Sequence, residues 1–396
     1  MTRIKLRWAL VPSTLLTSLV AGSAWAQADL PWDTQIVNPP AAYQGKFASM
    51  ATTKRYCNGN SGPLCQRIGV AYRDTEFNNL MYAQSDNNGA TWQREIVTTA
   101  AEAGDPVGAH ISLKFRPGPT TVPFIAYQKE SNPTKLMFVE KTNTAGSGPD
   151  AWTYRQLNIG GFSTSMIFDG ANKVRIAHLR SNGVLNYVTI PLPYSGYTST
   201  DLNITAKAVR LETDDLKNKH LLWATDAELR YKMTNLDNPF PGSFEVVDDE
   251  IGAYPLNAIY RIAMTIDWQE YPHIAFVVPW AGGYQLRHAY KSTASDWEHE
   301  DVITFSSAAP QSPGLAIILD EDRDDTEAIA YGYSQLLGAN YHRRQMISFR
   351  SGFGGWSGGS VDLAGGHYPN LARFFSGELA IAHFDPGAVD LRFVHE

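Results

Sequence analysis

The residues that could do chemistry in this 396-residue chain fall into two recurring sets. One set follows strand-like phrases such as "GVAYRD", "FIAYQKE" and "RIAHLR", and comprises Arg73, Asp74 and Glu76, Lys129 and Glu130, Arg180, Asp226 and Glu228, Trp280 and Tyr284, Tyr333 and Asp385. The other pairs a glycine with a ring: His110 in "GAHIS", Phe162 in "GGFSTS", Tyr254 in "GAYPLN", and His367 with Tyr368 in "GGHYPN". Aromatic faces stack on the apolar side of pyranose rings, while guanidinium and carboxylate groups answer hydroxyls in fixed geometries, so this mixture suits a sugar. If the site is a binding site, Arg73, Asp74, His110, Arg180, Tyr254, Trp280, Tyr284, His367 and Tyr368 are its expected members. If it is catalytic, two chemistries are open. A glycosidase would set Asp74 or Glu76 against Asp226 or Glu228. A polysaccharide lyase would use His110 or Tyr254 to remove a proton beside a uronate carboxyl that Arg73 holds.

These residues share a site only if the elements that carry them converge, and the sequence contains a repeat that makes them do so. A small residue after an apolar one recurs as Ala71, Ala126, Ala177, Ala275, Ala330 and Ala382. An apolar-x-aromatic triplet recurs from Leu80–Tyr82 to Leu391–Phe393, with "LRHA" around His288 as a variant. Leu80 and Leu391 are 311 residues apart over six intervals, which gives seven units of about 52 residues. Within each unit, short runs rich in Ile, Val, Phe, Tyr and Trp alternate with Gly, Pro, Asn and Asp, and no segment sustains a helical period. The expected fold is all-β: a seven-bladed β-propeller of four-stranded antiparallel blades over residues 27–396 as one domain. In that fold, loops after the second strand and loops entering each first strand open on one axial mouth.

Fourth strands begin with an aromatic: Trp92, Trp152, Phe244, Trp297 and Trp356. "WDTQIV", Trp32–Val37, has the same spacing and stands ahead of the first complete unit, while the last unit ends after its third strand at "LRFVHE". The N-terminal segment is therefore expected to supply the outer strand of the last blade, which removes an exposed edge. The recurring Trp is expected to pack blade on blade. His178 and His383, at the repeat position of Tyr72 and Tyr127, are expected to be structural substitutes.

One hairpin is more specific. "SDNNGATW", Ser85–Trp92, resembles the Asp-box of sialidase-like β-propellers, Ser-x-Asp-x-Gly-x-Thr-Trp, with Asn87 in place of the Asp. An Asx side chain there caps turn N–H groups, the glycine takes a positive φ and the Trp plugs the blade interface. The resemblance implies the propeller fold. It does not imply sialidase chemistry, because the Arg-Ile-Pro motif of that activity does not occur and a clear box occurs once.

Residues 1–26 have a basic start, an apolar run and Ala24-Trp25-Ala26, the pattern of a secretory signal peptide cleaved after Ala26. Its removal takes three basic residues and moves the formal charge from −7 to −10, so no nucleic-acid partner is expected. No later stretch is long and apolar enough for a membrane span, and a secreted or periplasmic protein is expected. Cys57 and Cys65, the two cysteines, are expected to pair as a local disulfide. No cofactor and no metal are expected: two cysteines make a poor metal site, and the acidic run Leu319–Glu327 has Asp325 where a calcium loop needs Gly. The expected partner is an extracellular glycan or polysaccharide. Protein docking on the propeller is a further alternative.

Overall fold

A computed structural model describes residues 30, 32–37, 44–58, 61–118, 121–157, 160–235, 237, 240–251, 261–280, 283–293, 296–306, 314–320, 326–337, 340–351 and 355–396. Seven antiparallel sheets of four strands each follow one another along the chain. Blade 1 comprises Gln44–Asn58, Ser61–Asp74, Leu80–Ser85 and Gln93–Thr98. Blade 7 comprises His367–Arg373, Leu379–Asp385 and Asp390–His395, and its fourth strand is the N-terminal segment Asp33–Ile36. Closure is antiparallel, with Asp33 opposite His395 and Ile36 opposite Arg392. Residues 1–26, and with them the signal-peptide assignment, lie outside the described residues.

The two repeat anchors turn out to face each other across the second and third strands. Ala71 is opposite Tyr82, Ala126 opposite Phe138, Ala177 opposite Tyr187, Ala275 opposite His288 and Ala382 opposite Phe393. The small residue gives the aromatic ring room, and in blades 1, 4, 5 and 7 the ring of the third strand receives the outer-strand tryptophan of the next blade. Trp92 meets Phe393 edge-on with centroids 5.2 Å apart, Trp152 meets Tyr82 at 5.5 Å, Trp297 meets Tyr231 at 5.4 Å and Trp356 meets His288 at 5.2 Å. The tryptophans are interblade packing, as their periodicity predicts.

The Ser85–Trp92 turn works as its residue types predict. Ser85 Oγ accepts from the Gly89 N–H at 2.8 Å, and Asn87 Oδ1 accepts from the Thr91 N–H at 2.9 Å. Asn caps this turn in the manner of the usual Asp. The two structural histidines are likewise satisfied: His178 contacts Asn186 Oδ1 at 3.1 Å and the Leu179 carbonyl at 3.2 Å. His383 accepts from the Gly366 N–H at 3.1 Å and contacts Asp362 Oδ2 at 3.2 Å.

Cys65 lies opposite Arg55 in the first hairpin of blade 1, and Arg55 is two residues from Cys57, whose side chain is outside the described residues. The acidic run 321–325 is also outside them; Asp320 closes one strand and Thr326 opens its partner, so the run joins the first and second strands of blade 6.

Candidate functional site

Each inner strand contributes one residue to a ring around the axis, and each of these residues is the cross-strand partner of the small repeat anchor or its counterpart. The ring is Ser49, Ser112, Ser165, Arg210, Ala263, Ala316 and Asn370. Along one arc it ties neighbouring blades together. Ser49 Oγ accepts from the Leu113 N–H, Ser112 Oγ from the Met166 N–H, Ser165 Oγ from the Leu211 N–H, and Asn370 Oδ1 from the Met50 N–H, at 3.0 to 3.2 Å. All seven line an axial cavity of ≈240 Å³. Lys114 and Glu212 also line it and form an ion pair at 3.3 Å across the channel.

Above the serine arc the inner strands begin with a shared irregularity. In blades 1, 2, 3 and 7 the register slips just before the ring residue, between Lys46 and Ser49, Ala109 and Ser112, Phe162 and Ser165, and His367 and Asn370. The bulged residues Phe47, His110, Ser163 and Tyr368 have φ of 59°, 49°, 50° and 52°. Each follows by two residues a glycine with positive φ: Gly45, Gly108, Gly161 and Gly366. A left-handed backbone is costly for Phe, Tyr and His, and four copies of it at one end of a channel re-aim side chains toward that end.

The result is a continuous arc of rings over four consecutive blades. Tyr368 and Phe47 have centroids 5.2 Å apart, Phe47 and His110 5.5 Å, and His110 and Phe162 5.6 Å. In blade 3 Ser163 takes the strained position and the ring, Phe162, comes one residue earlier. Arg73 stands beside this arc with its guanidinium carbon 6.0 Å from the Phe47 centroid. It donates to Glu130 Oε1 at 2.8 Å and to Asn78 Oδ1 from Nε at 3.1 Å, so its direction is fixed.

Burial, assisted by the Arg210 charge, pushes His110 down to about 4, and burial, assisted by Arg343, does the same to His367. Both rings are therefore neutral at neutral pH. His367 Nε2 is buried with no hydrogen-bond partner. Burial pushes Tyr368 up to about 12, against the opposing pull of Arg73, so its hydroxyl keeps its proton.

Among the expected site residues, Arg73, His110, His367 and Tyr368 therefore gather at one mouth. The other described ones do not join the arc. Asp74 is buried and caps its own turn, accepting from the Glu76 N–H at 2.9 Å. Arg180 pairs with Asp201 of the fourth strand of its own blade at 2.9 Å. Trp280 is exposed beneath Arg287, and Tyr284 lies under Arg261 in blade 5. Tyr254 lies outside the described residues. On the opposite side of the pair considered for glycoside hydrolysis, both carboxylates have local partners: Asp226 pairs with Lys207 at 3.2 Å and Glu228 with Arg230 at 2.6 Å.

Sequence reasoning missed Phe47, Arg210, Lys114 and Glu212. Phe47 carried a usable signal, because Gly45-x-Phe47 has the spacing of Gly108-x-His110 and Gly366-x-Tyr368. The other three lie inside ordinary strand patterns.

No family model and no curated protein matches the chain. Solved structures similar to it include the α-L-arabinofuranosidase Arb93A of Fusarium graminearum, at 10% identity and TM-score 0.48 over 95% of this chain and 98% of that one. The polysaccharide lyase Uly1 is similar at 8% identity and TM-score 0.49, over 83% of this chain and 87% of that one. The NanB sialidase of Streptococcus pneumoniae is similar at 10% identity and TM-score 0.44, over 87% of this chain and 67% of that one. At these identities and scores no function is transferred from them, and the site rests on its own geometry.

Proposed function

We propose that this protein is an exported β-propeller that binds a glycan at its axial mouth. The observation that carries this reading is the arc Tyr368–Phe47–His110–Phe162, three of whose four blades hold the ring itself in a strained left-handed bulge. Backbone strain repeated for packing alone would not converge on an opening. Stacking faces beside a fixed guanidinium and a serine-lined floor are the complement of a sugar ring: apolar on one side, hydroxyl-bearing on the other. The cavity, ≈240 Å³, is smaller than the roughly 300–1,000 Å³ of pockets for drug-sized ligands, so it suits one residue at the end of a chain. Export, a cleaved signal peptide and a Cys57–Cys65 disulfide belong to the same reading.

A second reading keeps the same mouth and adds catalysis. His110 and Arg73 flank the same Phe47 ring, and His110 is neutral at neutral pH, as a base that removes a proton must be. Titration of neutral and uronate-containing oligosaccharides by calorimetry, with parallel assays of the same mixtures, separates the two. Saturable binding with no product supports the lectin, and new ultraviolet absorbance from unsaturated ends supports the lyase. Loss of neither binding nor turnover in Phe47→Ala and Arg73→Ala places any sugar site elsewhere and refutes both.

A further inference from the structure

A second cluster lies between blades 5 and 6, toward the face opposite the mouth. His273 and Glu327 stand near the starts of the second strands Pro272–Trp280 and Thr326–Leu337, and His288 is on the third strand Gly283–Lys291. All three are buried, and one ligand atom from each lies within 4.8 Å of the others. We propose that His273, His288 and Glu327 hold a divalent transition-metal ion of the zinc type.

The repeat itself shows how unusual the cluster is. The position of His288 is filled by Tyr82, Phe138, Tyr187, Tyr231, Ile347 and Phe393 in the other blades. Three residues before the small anchor, where Glu327 stands, most other blades have Ile68, Pro123, Val174, Pro272 or Leu379. A fold satisfied by apolar residues at these places has acquired an imidazole and a carboxylate in adjoining blades, and both are costly to bury without partners.

Blade 4 supplies an internal control. There His220, equivalent to His273, has both nitrogens engaged: one with Asp214 Oδ2 at 3.0 Å, the other with the Tyr231 hydroxyl at 2.6 Å. In blade 5 the tyrosine is replaced by His288. His273 Nε2 still faces a carboxylate, Asp267 Oδ2, at 3.5 Å, while Nδ1 lies 2.9 Å from Glu327 Oε1 without hydrogen-bond geometry. His288 Nδ1 lies 3.5 Å from Glu300 Oε2, and its Nε2 has no partner. Each ring therefore turns one nitrogen toward a carboxylate and leaves the other for the cluster, as metal-bound imidazoles do. Arg350 bridges Glu300 Oε1 and Glu327 Oε1, at 2.5 and 3.2 Å, and leaves Glu327 Oε2 unpartnered.

Charge gives the same answer. Asp267, Glu300 and Glu327 contribute three negative charges around the rings, and Arg350 contributes one positive charge. One dication balances the remainder. A proton on His273, between Asp267 and Glu327, would balance only half of it and would leave His288 Nε2 and Glu327 Oε2 without partners. Two imidazoles and one carboxylate form a donor set that zinc accepts at about 2.0–2.2 Å, with a water completing the tetrahedron.

The test uses tag-free mature protein produced with added zinc. We expect one zinc per chain by elemental analysis after gel filtration, and a melting temperature that falls by a few degrees on chelation and returns with zinc. His288→Tyr, which installs the residue of blade 4, should abolish zinc retention while leaving a folded propeller by circular dichroism; Glu327→Leu, which installs the residue of blade 7, is the second variant. Folded wild-type protein that retains no zinc and whose melting does not respond to it overturns the proposal. Zinc retention undiminished in both variants overturns it equally, because the ion is then bound elsewhere.

Discussion

Gly89 and Phe393 touch across the junction where the two ends of the chain meet. A Cβ on Gly89, whose φ is +90°, would lie 2.4 Å from Phe393 Cε1. The box-like turn of blade 1 is thus fitted to the third strand of blade 7, and the same Phe393 ring receives Trp92. Gly89→Ala meets both a backbone penalty and a clash, and is expected to cost about 2–4 kcal/mol. Urea unfolding measures it. A loss under about 0.5 kcal/mol would mean that the seam is looser than described.

The N-terminal strand should matter far more than an ordinary terminus. Deleting residues 28–39 exposes the edge of Asp390–His395, and the product is expected to self-associate in gel filtration. Trp32 is half-buried against the cluster shared by blades 6 and 7, so Trp32→Ala should cost about 1.5–3 kcal/mol, less than for a fully enclosed ring. A truncated protein that stays monomeric and melts like the intact one contradicts this mode of closure.

Much of the fold was legible because the small residue and the aromatic that mark each repeat are direct cross-strand partners, so the spacing recorded a contact. Arg73, His110, His367 and Tyr368 were legible because loops entering and leaving known strands must share a face. Phe47 was passed over because lysine, not a small residue, separates it from Gly45. Arg210 was invisible for a different reason: it occupies the place of Ser49, Ser112 and Ser165, and only the register reveals that it points at the axis. The His273–His288–Glu327 cluster has no motif, since its members come from three strands of two blades.

Stability should depend on pH through the buried histidines. His110, His178 and His367 are each held down to about 4, mainly by burial, against about 6.5 in the unfolded chain. Between those values the unfolded chain binds more protons than the native one. The stability these rings contribute is therefore full above pH 6.5 and is lost as pH falls through 4. Urea midpoints at pH 7, 5.5 and 4.5 should fall in that order, and His178→Gln should flatten the trend. A midpoint constant over this interval would show that the rings are not neutral in the native state.

The disulfide is tested by mass. Protein exported to an oxidising compartment and alkylated without reductant should carry no label, and two labelled cysteines would refute the Cys57–Cys65 pairing. The loop closed is short, so reduction should cost about 2–3 kcal/mol and leave the fold intact.

Contact at Phe47 should be separable from stability. Phe47→Ala is expected to weaken oligosaccharide binding by about tenfold or more, in line with the roughly 1–3 kcal/mol of a lost anchor contact. Arg73→Lys keeps the charge but not the fork held by Asn78 and Glu130, and should weaken acidic sugars more than neutral ones. Equal loss for both classes would detach Arg73 from recognition.

The serine and asparagine ring gives the propeller an uneven stiffness about its axis. Asn370 both accepts from the Met50 N–H and donates to the Ala48 carbonyl, and Gln66 adds two more bonds, to the Arg373 carbonyl and from the Phe375 N–H. The interface of blades 7 and 1, beside the strand pair that closes the ring, is thus among the most tightly sewn places in the described structure. In blades 5 and 6 the ring residues Ala263 and Ala316 offer no side-chain oxygen to the neighbouring strand. When the channel widens to admit a guest, it should hinge at blades 5 and 6, beyond the hydrogen-bonded arc, and amide exchange in the inner strands should be fastest there.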